Sequence, residues 1–328
     1  MVTMIIFTEL LACAGIIFMA ANLLTKYADI LAEKLNLSRS WVGLVLLAVI
    51  TSLPELSNSL SATVFVGKPD LGVGNLLGAC LMNLLLIAFM DYLHKNKPVF
   101  NKLDSGHILS AGFAILLLTL VCLGIFFSST MNARLITLAI FLVYLIGQRQ
   151  IFIFEKGKIL GIEKIYTKES IPSALINFIF FASLVVAAGI WLSTLGNSLT
   201  IQTGLGTTFV GSIILSLITT LPELTVSFSA MRLGAPDMAV SNLLGSVLFN
   251  VVLISVIDPF SRQAPLLSAI SNLNILTALA SIICLCIVTV GIIKHSKNKL
   301  FAGFSWNSVL IILTVLYSWY LLFMIRKV

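Results

Sequence analysis

Long apolar runs separated by short polar segments fill almost the whole chain. A membrane-spanning helix needs about 20 mostly apolar residues, and by this rule the pattern predicts ten such helices. They cover residues 4–25, 41–66, 70–93, 106–127, 132–152, 170–195, 207–232, 237–260, 268–293 and 304–325. The longest polar connection lies between the fifth and sixth. We therefore predict an all-α polytopic membrane protein with two five-helix halves, 1–152 and 170–328, joined by a linker at 153–169.

Composition supports the membrane assignment. Of the 328 residues, 59% are hydrophobic and 10% charged, whereas soluble domains carry roughly 25% charged residues. The first run contains Glu9 and has no basic segment before it, so we predict a retained helix and not a cleaved signal. All five cysteines lie in apolar runs, which favours packing over disulfides or a zinc site. The net charge of +7 is typical of basic cytoplasmic loops and does not call for nucleic acid.

The distribution of Lys and Arg predicts the orientation. Most of the 20 basic residues fall in the loops that follow the odd-numbered predicted helices. Those on the opposite side are Lys68, Arg134, Arg262, Arg326 and Lys327. Basic residues concentrate in cytoplasmic loops, so we expect both termini outside the cell and the linker in the cytoplasm.

The two halves contain a repeated sequence. Residues 42–91 align with residues 210–258, with one single-residue gap, and each copy holds Leu-Pro-Glu, ending at Glu55 and at Glu223. Because each half has five predicted helices, the second half enters the membrane from the opposite face. Inverted repeats of this kind place the substrate site at the repeat interface near the midplane.

The repeated motif carries the candidate chemistry. Proline removes one backbone N–H and crowds the carbonyl four residues earlier, so Pro54 and Pro222 loosen carbonyls in the preceding turn. Glu55 shares a helix face with Thr51 and Ser52, and the second motif repeats this arrangement. Carboxylates, carbonyls and hydroxyls together suit Na⁺ or Ca²⁺.

The glutamates also imply neutralising cations. Two carboxylates about 6 Å apart repel by roughly 3 kcal/mol at an effective dielectric constant near 20, so metal ions or protons must offset their charge. Asn83 and Asn250 lie at matching mid-span positions, and we assign both to the ion site. Asp70 and Asp237 follow prolines at helix starts, where we expect them to act as N-caps.

The duplicated Thr-Ser/Thr-Leu-Pro-Glu, followed each time by Gly/Ser-Asn-x-x-Gly-x-x-x-x-Asn, resembles the two alpha repeats of the sodium/calcium exchanger family, within the calcium/cation antiporter superfamily. The resemblance implies a prokaryotic-type protein of ten helices, with helices 2, 3, 7 and 8 around the cation sites. Helices 1 and 6 would slide across this core to switch access.

The resemblance also assigns roles to residues. Glu55 and Glu223 would be the shared central ligands, completed by the carbonyls of Thr51 and Thr219. Ser52 and Thr220 match hydroxyl positions, and Ser246 matches a serine that binds flanking Na⁺. The outlying carbonyl positions correspond to Ala48 and Ser216.

Two positions depart from the family pattern. Ala79 replaces the serine that would pair with Ser246, and Asn250 stands where prokaryotic Na⁺ exchangers often have aspartate. With two acids left, Ca²⁺ against two protons balances as well as Ca²⁺ against Na⁺.

The leading hypothesis is thus Ca²⁺/Na⁺ antiport, and the alternative within the superfamily is Ca²⁺/H⁺ antiport. A passive cation channel is a hypothesis of another class. An intramembrane enzyme is disfavoured, because the three histidines lie at or beyond predicted helix ends and no P-loop is present. We expect no cofactor, no nucleic-acid partner, and a monomer in the plasma membrane.

Overall fold

A computed structural model describes residues 2–34, 47–93, 98–128, 132–155, 170–261, 264–294, 299 and 303–325. The described chain is helical and contains no strand. Its main helices are α1 (Val2–Lys34), α2a (Leu47–Thr51), α2b (Leu53–Val64), α3 (Pro69–Leu93), α4 (Gly106–Phe126), α5 (Ala133–Glu155), α6 (Ile171–Thr203), α7a (Thr207–Thr219), α7b (Leu221–Arg232), α8 (Pro236–Ile257), α9 (Leu273–Lys294) and α10 (Trp306–Ile325).

These helices confirm a polytopic membrane protein. Among the described residues, 8 helices are long and apolar enough to cross a membrane, and α7a with α7b forms one further span bent by 45°. The second predicted helix, 41–66, is represented by α2a and α2b, and its first residues, 41–46, lie outside the described residues. The first three residues of the predicted linker, 153–155, belong to α5, which continues to Glu155. The rest of the linker, 156–169, lies outside the described residues.

Helices α1 and α6 are longer than the sequence pattern predicts. Each has 33 residues, about 50 Å at 1.5 Å per residue, so the predicted ends at 25 and 195 are wrong. An apolar-run rule stops at the first polar residues, whereas α1 continues through Lys26 and Asp29. The two helices pack against each other, and α6 also packs along α2b.

The protein core is formed by α2, α3, α7 and α8. Helix α3 contacts α2b, α7a and α8, and α8 contacts α2a and α7b. Most residues of α3 and α8 are buried, whereas α1, α5 and α6 expose large apolar side chains in the way expected of lipid-facing helices. The segments that carry the repeated motif are therefore the innermost part of the molecule.

Matching residues of the two repeats make matching contacts. At the end of α3, the Oδ1 atom of Asp91 accepts a hydrogen bond of 2.8 Å from the Val99 amide. At the end of α8, Asp258 Oδ1 accepts one of 2.6 Å from the Leu266 amide. Each aspartate thus fixes a chain reversal into a short 3₁₀ turn (Val99–Lys102 or Leu266–Ser268).

A second matched pair joins the two halves. Asp70 Oδ1 accepts a 2.7 Å hydrogen bond from the Ser271 amide, and Asp237 Oδ1 accepts one of 2.7 Å from the Asp104 amide. These bonds cross from one repeat to the other. The expectation that both aspartates cap their own helices was wrong, because their carboxylates hold the start of a helix in the opposite half.

Candidate cation site

Both motif helices break at the same place. Ser52 (φ −87°, ψ 13°) separates α2a from α2b, and Thr220 (φ −81°, ψ 1°) separates α7a from α7b. Pro54 and Pro222 lie in the first turn of the segment that follows. Neither proline has an N–H for the carbonyl four residues earlier, so the interruption follows from the local sequence, as predicted.

The two glutamates are fully buried at the centre of the core. Glu55 and Glu223 have no exposed surface, and they are close enough to interact electrostatically. The Oε1 atom of Glu223 accepts hydrogen bonds from the hydroxyls of Ser52 and Ser246, each at 3.3 Å. Because Ser52 belongs to the first repeat and Glu223 to the second, the two motifs meet in one site.

Hydroxyl and amide groups surround the carboxylates. The side chain of Thr51 lies beside Glu223, and that of Thr219 lies beside Glu55. Thr219 also donates a 3.2 Å hydrogen bond to Asn75 Oδ1, which connects α7a to α3. The motif threonines therefore lie next to the glutamate of the opposite repeat.

The structure brings the predicted site residues into the buried core. Those with described side chains are 0% to 4% exposed: Glu55, Glu223, Thr51, Thr219, Ser52, Thr220, Asn83, Asn250, Ser216 and Ser246. Ala48 belongs to α2a, but its side chain lies outside the described part. Within the described chain, neither Asn83 nor Asn250 has a hydrogen-bond partner for its amide group.

A backbone-to-backbone contact brings α3 against α7a. A Cβ atom added to Gly78 would lie 2.3 Å from the Ser212 carbonyl oxygen, and one on Gly211 would lie 2.5 Å from that of Leu71. Ser212 and Gly211 belong to a π-helical stretch, Val210–Leu215, which the sequence analysis did not predict. The two glycines permit an approach that side chains would prevent.

Two buried asparagines near the glutamates were not predicted from the sequence as site residues. Asn75, the first asparagine of the repeated Gly/Ser-Asn motif, connects two helices to α3: its Nδ2 donates to Ser59 (3.1 Å) while its Oδ1 accepts from Thr219. Asn58 was not considered; it is fully buried three residues after Glu55. The signal for Asn58 was its spacing, because residues three apart share a helix face.

The donor set is suited to hard cations. It consists of carboxylate, amide and hydroxyl oxygens, the ligands that Ca²⁺ prefers. Within the described residues, no group of three His, Cys, Asp or Glu side chains could hold a metal ion, and all five cysteines are free. Two carboxylates with neutral oxygens can bind and release a small cation more readily than a dense acidic cage could.

Comparison with known proteins shows which family the chain matches. The family model described as sodium/calcium exchanger protein matches residues 6–149 and 173–326, nearly the whole chain. CaxA of Alkalimonas amylolytica, described as a candidate antiporter, is 25% identical over 233 residues, which cover 69% of this chain and 71% of that protein.

Solved structures share the fold. The H⁺/Ca²⁺ exchanger CAX superimposes with a TM-score of 0.73 and 16% identity, covering 98% of this chain and 85% of that one. A structure of the sodium-calcium exchanger NCX_Mj gives a TM-score of 0.61 and 17% identity, covering 96% of this chain and 98% of that one. At such identities the likeness establishes the fold alone.

Proposed function

Because this chain belongs to the sodium/calcium exchanger protein family, we propose that it is a secondary-active antiporter that exchanges Ca²⁺ for Na⁺ by alternating access. The observation that carries the proposal is the meeting of Glu55 and Glu223, one from each repeat, in a single buried site lined by oxygen atoms. Ca²⁺ and Na⁺ are the transported substrates, and the chemistry needs no cofactor.

The charges of the site explain why exchange is obligatory. Two buried carboxylates without a cation leave a charge of −2 in a medium of low dielectric constant, which is costly. One Ca²⁺ neutralises both, and so do two monovalent cations. The cation-free protein is therefore the least stable form. It should switch between outward-facing and inward-facing states more rarely than the cation-loaded forms.

We assign the ligand roles as follows. Glu55 and Glu223 bind Ca²⁺ directly, and the carbonyls of Thr51 and Thr219 complete its shell. Neutral oxygens next to this centre serve the monovalent ions; they belong to Ala48, Ser52, Asn83, Ser216, Thr220, Ser246 and Asn250. Oxygen ligands of these kinds fit a hard cation and leave a soft transition metal weakly held.

Alternating access requires a part that moves over a fixed site. Helices α1 and α6 are suited to this role because they pack on each other and lie outside the core, with α6 along α2b and α1 against α7b. Where α6 meets α2b, a Cβ atom on Gly189 would lie 1.9 Å from Ser57 Oγ. Sliding of α1 and α6 would uncover the glutamates first from one side and then from the other.

We place the protein in the plasma membrane as a monomer, with both termini outside and the linker in the cytoplasm. The bias of Lys and Arg supports this orientation. With this orientation, inside-out vesicles should take up Ca²⁺, because their outer surface is the cytoplasmic face of the protein.

Ca²⁺/H⁺ exchange is the second candidate, and the composition of the site favours it. Ala79 offers no hydroxyl opposite Ser246, and Asn250 offers an amide where a third carboxylate would strengthen Na⁺ binding. Two glutamates can carry one proton each, so an exchange of one Ca²⁺ for two protons is electroneutral.

The test is Ca²⁺ uptake into liposomes that contain the purified protein. An outward Na⁺ gradient at equal pH should drive uptake, and collapse of that gradient with a Na⁺ ionophore should stop it. If a pH gradient drives uptake and Na⁺ does not, the antiporter uses protons. Ca²⁺ flux that runs down its own gradient without either counter-ion would contradict antiport and indicate a channel.

A further inference from the structure

The two glutamates are held in different ways. Glu223 Oε1 accepts two hydroxyl hydrogen bonds, from Ser52 and Ser246. Neither carboxylate oxygen of Glu55 has a hydrogen-bond partner among the described residues, because the Thr219 hydroxyl beside it donates to Asn75 Oδ1. A buried carboxylate without hydrogen-bond donors is much less stable than one that has them. The two glutamates are therefore stabilised unequally, although the sequence motif is duplicated.

The unequal stabilisation of the two glutamates follows from the residues at the matching positions of the two repeats. The counterpart of Ser246 is Ala79, which has no hydroxyl to donate. The counterpart of Ser52 is Thr220, whose hydroxyl has no hydrogen-bond partner in the described part of the chain. Glu55 therefore depends more than Glu223 does on a cation for its stabilisation.

Asn58 supplies a polar group next to Glu55. Its side chain is 0% exposed, and neither Oδ1 nor Nδ2 finds a hydrogen-bond partner among the residues that the structure describes. The matching position in the second repeat is Val226. An unpaired amide at full burial is destabilising, so a partner from outside the chain would offset that cost.

The neighbours of Asn58 place it on the helix: its backbone lies at the contact with α6, where a Cβ atom on Gly189 would be 3.0 Å from the Asn58 nitrogen. Ser61 faces α6 and lies 2.8 Å from Ser193 Oγ, whereas Ser59 faces α3 and accepts a hydrogen bond from Asn75. Asn58 lies between these two faces, one turn from Glu55 and on its side of the helix. Its amide is thus on the part of the helix surface that includes Glu55, and it has no hydrogen-bond partner within the described chain.

We propose that Asn58 is an additional ligand of the transported Ca²⁺, with its Oδ1 atom completing the oxygen shell on the Glu55 side. Amide carbonyls are regular Ca²⁺ ligands, and Asn58 would supply a neutral oxygen near the glutamate that lacks hydroxyl donors. The inference deepens the proposed function and rests on it.

The test compares Asn58→Val with Thr63→Val on the same helix. Val has about the size of the residue it replaces and is the residue found at position 226. Thr63 is a matched control, because its hydroxyl is also buried and also lacks a hydrogen-bond partner among the described residues, but it lies two turns beyond Glu55. Both variants remove an unpaired polar group, and only Asn58→Val removes a proposed ligand.

We expect Asn58→Val to raise the Ca²⁺ concentration for half-maximal uptake by roughly tenfold, the effect of losing one hydrogen-bond-strength contact to a charge. The melting temperature without Ca²⁺ should be unchanged or higher, because an unsatisfied amide is gone, while the stabilisation by added Ca²⁺ should shrink. Thr63→Val should leave the half-maximal concentration and the Ca²⁺-dependent stabilisation at wild-type values.

Each outcome has one meaning. If wild-type protein exchanges Ca²⁺ and Asn58→Val matches Thr63→Val in both measurements, Asn58 is not a ligand and the inference fails alone. A fall in the Ca²⁺-free melting temperature with unchanged Ca²⁺ affinity would assign Asn58 a packing role and overturn the inference in the same way. If the wild-type protein shows neither exchange nor stabilisation by Ca²⁺, the proposed function itself fails.

Discussion

Among single residues, Asn250 bears most directly on the proposed choice between Na⁺ and H⁺. It is fully buried opposite the motif helices, and its amide has no hydrogen-bond partner in the described chain. Asn83 has the same properties in the other repeat. Both positions thus offer a neutral oxygen where a carboxylate would add a full charge and a proton-binding group.

Asn250→Asp should therefore shift the coupling toward Na⁺. A third carboxylate raises the negative charge that monovalent ions must neutralise, and a gain of about 1.4 kcal/mol in Na⁺ binding corresponds to a tenfold change. We expect the ratio of Na⁺-driven to pH-driven Ca²⁺ uptake to rise by about that factor in proteoliposomes. An unchanged ratio in a correctly folded variant would show that position 250 does not contact the monovalent ions.

At the scale of residues, some members of the site were predictable from the sequence and others were not. Glu55 and Glu223 were found because each follows a proline in an apolar run, which is a conspicuous local signal. Asn58 corresponds to Val226 in the second repeat, so a comparison of duplicated polar residues does not detect it. The bond from Ser52 to Glu223 joins residues 171 positions apart, and only the folded chain shows it.

At the scale of helices, close contact between α3 and α7a holds the core together. Gly78→Ala places a methyl group 2.3 Å from the Ser212 carbonyl oxygen, well inside the usual contact distance of about 3.3 Å. The two backbones cannot separate without disturbing both motifs. Overpacking of this kind typically costs about 1–3 kcal/mol, so we expect a lower melting temperature in detergent and slower exchange.

Gly112→Ala is the matched control. Gly112 lies in α4, and a Cβ atom there would have no neighbour within 4 Å. Alanine stabilises a helix by about 0.5–1 kcal/mol relative to glycine, so this variant should melt at the same temperature or higher. Equal melting temperatures for the two variants would contradict the tight contact at Gly78.

Helix bounds were predictable only where their cause is local. The helix breaks at Ser52 and Thr220 follow from prolines two residues later, so the motif itself predicts them. The π-helical stretch Val210–Leu215 contains Gly211, which packs against the α3 backbone, and a contact between distant segments leaves no local signal in the sequence. The long polar ends of α1 and α6 were missed because apolar runs mark the membrane core and not the helix itself.

At the scale of the whole molecule, each half supplies one of the two glutamates of the candidate site. Glu55 comes from the first repeat and Glu223 from the second, and Ser52 donates across the boundary between them. Asp70 and Asp237 fasten each half to the backbone of the other. The proposed function therefore requires both repeats to share one cation, and removal of either carboxylate should abolish exchange.

The most direct measurement is Na⁺- or pH-driven ⁴⁵Ca²⁺ uptake by wild-type protein, Glu55→Gln and Glu223→Gln in matched proteoliposomes. Gln keeps the shape and removes the charge, so both variants should insert, purify as single species and melt cooperatively. The account predicts that each variant loses at least about a hundredfold in uptake, since a buried charge contact of roughly 3 kcal/mol is lost. Wild-type uptake rates in either variant would contradict a cation shared by the two repeats.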